Sequence, residues 1–138
     1  MKHLISKVLG ISALSLALVS CGKKEVEPIN FGKDQCSHCK MMIENPKYGT
    51  ELLTSKGRVY KFDDLSCMES FVDENQDKAD QAQLYVPDFL THELFPIEQA
   101  TKVTGGEVKS PMNGNIATFK NKEEAINEAK KLNAELIN

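Results

Sequence analysis

Beyond residue 50 the chain alternates short extended runs with stretches of helical spacing. Thr50 to Ser55 and Arg58 to Phe62 flank Lys56-Gly57. Tyr60 and Phe62 fall on one face and Val59 and Lys61 on the other, the pattern of a β-hairpin. Asp63-Asp64 then offers an N-cap to a helix whose apolar stripe is Leu65, Met68, Phe71 and Val72. Leu84 to Val86, ended by Pro87, reads as a short third strand. A fainter version of the same rhythm follows. Thr101 to Thr104 is strand-like, Gly105-Gly106 breaks it, and Val108 to Ser110 resumes it. Pro111-Met112-Asn113-Gly114 is turn chemistry, and Ile116 to Phe119 alternates as a strand. Asn121 with Glu124 three residues later forms a variant capping box for a helix that carries Ala125, Ile126, Ala129, Leu132 and Leu136 on one side. The expected fold is α+β: two small related strand-strand-helix units, over about 31–90 and 91–138, packed together.

The amino terminus has a different pattern. Lys2, His3 and Lys7 precede an apolar run from Val8 to Val19, interrupted only by Gly10, Ser12 and Ser15. The run is short for a bilayer span and has the layout of a secretory signal over residues 1–20. Leu18-Val19-Ser20-Cys21 resembles a bacterial lipobox, in which the cysteine is acylated and becomes the mature amino terminus. The plainer alternative is an ordinary signal peptide followed by a coincidental cysteine. From Gly22 to about Asn30 the chain is rich in Lys, Glu, Pro and Asn and reads as a tether. Lipid on Cys21 would hold residues 31–138 at a membrane surface without a spanning helix.

Processing changes what composition implies. Removing the first twenty of 138 residues leaves 118, enough for one modest core or two very small ones. The removed segment carries Lys2 and Lys7 and no acid, so the formal net charge moves from −3 to −5. A mildly acidic surface argues against nucleic acid as a partner. With Cys21 spent on lipid, Cys36, Cys39 and Cys67 remain, and an odd number outside the cytoplasm is not a pure disulfide framework. At least one thiol stays free there, and a bound soft metal would protect it from oxidation.

Cys36-Ser37-His38-Cys39-Lys40-Met41-Met42 concentrates two thiols, two thioethers and an imidazole. Thiolate and thioether sulfur suit Cu(I), whereas Zn(II) has little use for methionine. Cys36, Cys39 and Met41 are therefore candidate copper ligands, against the alternative of a local disulfide with Met41 simply opening a strand. Cys67 lies about three residues into the first expected helix, where backbone dipoles favour the thiolate, although a small apolar thiol beside Met68 also suits a core. Met112 is more telling, because a long apolar side chain between Pro111 and Asn113-Gly114 is held on a turn where packing would not normally place it. His92 lies between the two units, and a lone histidine is more often a surface or capping residue than a ligand. His38 has better donors on both sides.

Three stretches together resemble the NosL family of copper-binding lipoproteins that help assemble nitrous oxide reductase. They are Cys39-Lys40-Met41 within Cys-x-x-Cys-x-Met, Tyr60-Lys61-Phe62-Asp63-Asp64 leading to Cys67-Met68, and Val108-Lys109-Ser110-Pro111-Met112 followed by Ile116-Ala117-Thr118-Phe119 and a Glu-rich helix. They span nearly all of the mature chain, in order, behind a lipobox. The resemblance implies an α+β fold of two small related units and a Cu(I) site rather than an enzyme. It also implies delivery of copper to the sulfide-bridged centre of the reductase, with the reductase and its maturation ABC transporter as partners in the periplasm. Carried over, Cys39, Met41 and Met112 are the firmest ligand positions, with Cys36, Cys67 and His92 behind them. The family usually has Gly where this chain has Lys40, which adds a cation and stiffens the loop.

Other classes remain open on sequence alone. A periplasmic thiol-disulfide oxidoreductase would use Cys36 and Cys39 at a helix start after a buried strand, yet Asn30-Phe31-Gly32-Lys33-Asp34-Gln35 is no buried strand. Covalent haem on Cys36-Ser37-His38-Cys39-Lys40 would need Lys40 as axial ligand in place of the usual histidine. A lipoprotein with a structural disulfide and no metal is the plainest alternative.

Overall fold

The structure, a computed structural model, describes residues 25–137; the expected signal segment over 1–20 and Cys21 lie outside those residues. Two antiparallel sheets organise the chain. The first has the order β2-β1-β3-β4, from strands Thr50–Leu53 (β1), Val59–Phe62 (β2), Gln83–Pro87 (β3) and Leu94–Pro96 (β4). The second has the order β6-β5-β7, from Thr101–Thr104 (β5), Ile116–Phe119 (β6) and Glu135–Ile137 (β7). Helices α1 (Leu65–Glu74) and α2 (Gln76–Ala79) separate β2 from β3, and α3 (Lys122–Lys131) separates β6 from β7. This is the α+β architecture of two small sheet-and-helix units that the pattern implied.

The expected hairpin forms with Thr50 opposite Phe62 and Leu53 opposite Val59. Its turn closes through the Thr54 N–H to the Arg58 carbonyl and the Gly57 N–H to the Thr54 carbonyl. Strand β1 is central and buried throughout, so it carries apolar or paired side chains on both faces. Leu52, Phe62, Leu65, Met68, Phe71 and Val86 make the core between this sheet and α1. Removing a side chain such as Phe62 costs roughly 3–5 kcal/mol. The second core gathers Val103, Val108, Ala117, Phe119, Ala125 and Ala129 under α3.

The two units interlock. Tyr48 and Phe89, from the first, pack in the second core, while Met112 and Ile116, from the second, pack against the first. Backbone bonds tie the seam: the Phe89 N–H reaches the Thr118 carbonyl at 2.8 Å, and the Lys120 N–H reaches Asp88 Oδ2 at 2.9 Å.

Four expectations are corrected. Val108 to Ser110 is a loop rather than a strand, because the Ser110 N–H is taken by the Asn115 side chain at 3.0 Å instead of by a neighbouring strand. The last helix ends at Lys131, and Leu136 belongs to β7. Asn133 adopts φ +50° there, and the Ala134 N–H closes on the Ala129 carbonyl at 2.8 Å, a left-handed helix stop. The first sheet runs on to Pro96, so the units meet between β4 and β5 and not near residue 90. The expected tether is shorter than Asn30: the Glu27 N–H bonds Glu51 Oε1 at 2.8 Å, the Pro28 carbonyl accepts from Lys61 Nζ at 2.8 Å, and Ile29 packs on the first core.

Candidate metal centre

The loop that carries the cysteine pair is closed on itself and laid along β2. Gln35 and Met42 form an antiparallel bridge, the Cys36 N–H reaches the Met41 carbonyl at 2.8 Å, and the Lys40 N–H returns to the Cys36 carbonyl at 3.1 Å. The Ser37 N–H then bonds the Lys61 carbonyl at 2.8 Å, which fixes the loop to the sheet. Lys40 completes the turn at φ +65°, a left-handed conformation that glycine adopts without penalty. The cysteine pair therefore sits in a hairpin-like loop, away from any helix start, and lacks the setting of a thioredoxin-like redox pair.

This geometry turns Cys36 fully into the first core and leaves Cys39 half-buried above it. Cys67 enters from the other side, in the first turn of α1, 2 % exposed. The Sγ atoms of Cys36, Cys39 and Cys67 all lie within 4.8 Å of one another, and all three thiols are free. Sulfurs sharing one soft metal at about 2.3 Å stand roughly 4 Å apart, so a small closure suffices to hold an ion. Burial, followed by the neighbouring Cys36 and Cys39, pushes the Cys67 thiol far above its ordinary range. That corrects the expectation of a dipole-stabilised thiolate: desolvation outweighs the helix terminus. Burial also raises the Cys39 thiol, against the opposing hydrogen bond with the Met41 backbone.

The other sequence candidates have different settings. Met112 is partly buried and packs against the core that contains Cys36 and Cys67. Its turn is rigid: the Asn113 N–H bonds the Ser110 carbonyl at 3.1 Å, and the Asn115 N–H bonds Ser110 Oγ at 2.8 Å. Met41, two residues beyond Cys39, is 55 % exposed, and Met42 is also exposed. His92 lies outside the three-thiol group; at φ +65° it lines an open cavity with Phe31, Pro46 and Leu94. His38 faces α1, with Nδ1 3.5 Å from Glu74 Oε2.

The residue that sequence reasoning missed is Asp64. Its expected role as N-cap of α1 holds, since Oδ1 accepts the Cys67 N–H at 3.1 Å. Its second oxygen accepts the Ser110 hydroxyl and the Met112 N–H, at 2.6 and 3.1 Å. Burial opposes its charge, but Ser110, Ser66 and the two backbone donors outweigh burial and keep the carboxyl below its usual range. Nothing local in the sequence announces a partner so far along the chain.

The NosL family model matches residues 28–135. The chain belongs to the NosL family. The crystal structure of the copper chaperone NosL from Shewanella denitrificans shares the fold, with a TM-score of 0.68 at 20 % identity, over 83 % of this chain and 92 % of that one. No curated protein matches the chain.

Proposed function

We propose that this NosL-family protein is a Cu(I) chaperone, held to a bacterial membrane by lipid on Cys21 and facing the periplasm, which supplies copper for the copper-sulfide centre of nitrous oxide reductase. Family membership and the fold shared with a copper chaperone support it. The observation that carries it is the convergence of Cys36, Cys39 and Cys67 in a largely dry pocket. Three soft donors there favour monovalent copper over harder cations.

In this mechanism Cys36 and Cys67 grip the ion from the buried side, and Met112 adds a thioether from the second unit. Cys39 is the ligand that lets go, because it alone of the three thiols reaches the surface. An acceptor's thiolate or imidazole enters beside Met41 as Cys39 departs, so copper changes hands without ever being free. No covalent bond of a substrate is made or broken, and the role is not enzymatic. The tether raises effective concentration near a loading transporter and an accepting reductase.

Anaerobic titration of the reduced full chain in detergent, against a Cu(I) chelator, tests the assignment. About one Cu(I) per chain is expected. Cys36→Ser and Cys67→Ser should each weaken it by at least about tenfold, and Met112→Ile should weaken copper far more than zinc. A chain whose triple serine variant binds Cu(I) as tightly as the parent overturns it.

A further inference from the structure

The ligands proposed for copper come from two different units of the fold, and one side chain joins them. Asp64 is 1 % exposed, at the start of α1. Oδ1 accepts the Cys67 N–H at 3.1 Å and the Ser66 hydroxyl at 2.7 Å. Oδ2 accepts the Ser110 hydroxyl at 2.6 Å and the Met112 N–H at 3.1 Å. A helix cap needs only one carboxylate oxygen. The second is committed to the loop of the other unit, and the backbone N–H groups of Cys67 and Met112 end on the same carboxylate.

The surroundings enforce the same approach. Gly114 lies so close to α1 that an added Cβ would stand 2.8 Å from Ser66 Cβ. The Asn115 side chain accepts the Ser110 N–H at 3.0 Å, its backbone N–H donates to Ser110 Oγ, and its carbonyl accepts the Thr104 hydroxyl at 2.7 Å. The loop is thereby fixed to β5 on one side and to Asp64 on the other, with little freedom left to Met112.

We propose that Asp64 is a positioning residue: by holding Cys67 and Met112 through one carboxylate, it sets where the thioether stands over the three thiols and so sets the preference of the site for Cu(I). It rests on Met112 being a copper ligand. A thioether contributes to Cu(I) and little to Zn(II), which the thiolates satisfy by themselves. Displacing Met112 should therefore cost copper selectively.

Asp64→Asn isolates this role. The amide oxygen can still cap α1, while the amide nitrogen would face the Met112 N–H, which is left without an acceptor, and the Ser110 hydroxyl, which would have to turn from donating to accepting. In the full chain in detergent, Asp64→Asn should lower Cu(I) affinity about tenfold, as Met112→Leu does, and leave Zn(II) affinity within about twofold. The double variant should bind copper no worse than Met112→Leu alone. X-ray absorption of the copper-loaded variant should show the loss of one sulfur scatterer. Ser110→Ala leaves the cap untouched and should weaken copper in the same selective way, which covers an Asp64→Asn chain that fails to fold. Loss of Cu(I) and Zn(II) alike, or losses that multiply in the double variant, would mark a merely structural carboxylate and overturn the proposal. Copper affinity lowered by Met112→Leu but untouched by Asp64→Asn and Ser110→Ala overturns the role of Asp64 alone. Copper affinity untouched by Met112→Leu removes Met112 from the site and the proposal with it.

Discussion

Glu51 on β1 and Lys61 on β2 are cross-strand partners, yet the lysine does not neutralise the carboxylate. Lys61 Nζ is engaged at 2.8 Å by the Pro28 carbonyl and by Asp34 Oδ2. Among the described residues, fully buried Glu51 receives only the Glu27 N–H on Oε1, and Oε2 has no partner.

That arrangement makes stability depend on pH. Burial pushes Glu51 up to about 7; the Glu27 N–H and Lys61 pull it down, and Glu27 and Asp34 add repulsion. The folded chain therefore holds this proton more tightly than the unfolded chain. Its contribution is full below the ordinary glutamate range and is lost as pH rises through about 7. The difference is on the order of 3 kcal/mol. Denaturant melts between pH 5 and 8 should fall in midpoint for the parent and run flatter for Glu51→Gln; equal slopes would show that Glu51 is not the group responsible.

Lys40 holds φ +65° in the loop of the cysteine pair, a conformation that glycine adopts without penalty. Its ammonium gives back one surface bond, to the Ser37 carbonyl at 2.6 Å. Lys40→Gly should raise stability by up to about 1 kcal/mol, since relief of the left-handed strain exceeds the loss of that exposed contact. Thermal melting checks it, and a lower melting temperature contradicts it.

Among the three thiols only Cys39 is accessible. Brief alkylation of the reduced, metal-free chain followed by peptide mapping should find modification at Cys39 well ahead of Cys36 and Cys67. Bound Cu(I) should suppress it. Equal labelling of all three would mean that the pocket opens freely.

Cys39 and Cys67 are both raised above the ordinary thiol range, so they carry protons at neutral pH. Copper must displace them. Cu(I) affinity should rise between pH 6 and 8 by roughly one logarithmic unit per pH unit for each thiol that ionises. A flat profile would exclude these thiols as ligands.

Much of the fold was legible because its signals are local. The hairpin around Lys56-Gly57, the Asp64 and Asn121 caps and the stripe of α1 each depend on residues within a few positions of one another. Strands β4 and β7, three residues each, are too short to show a period, and both exist only because β3 and β5 offer them an edge. Met41 and Met112 illustrate the same division at the site. Both are candidates on neighbouring sequence alone, and only folding separates the exposed position of one from the partly buried position of the other.

What the sequence by itself determined is the chemistry available: soft sulfur donors, three thiols beyond Cys21, and turns to carry them. Tertiary structure decided which donors meet. Cys67 joins the Cys36/Cys39 loop because α1 packs on the same sheet, and Met112 is held at the start of α1 because a carboxylate far earlier in the chain takes its N–H. A pattern of local spacing carries no information about that closure. It depends on burial and hydrogen bonding between segments that become neighbours only once both cores have formed.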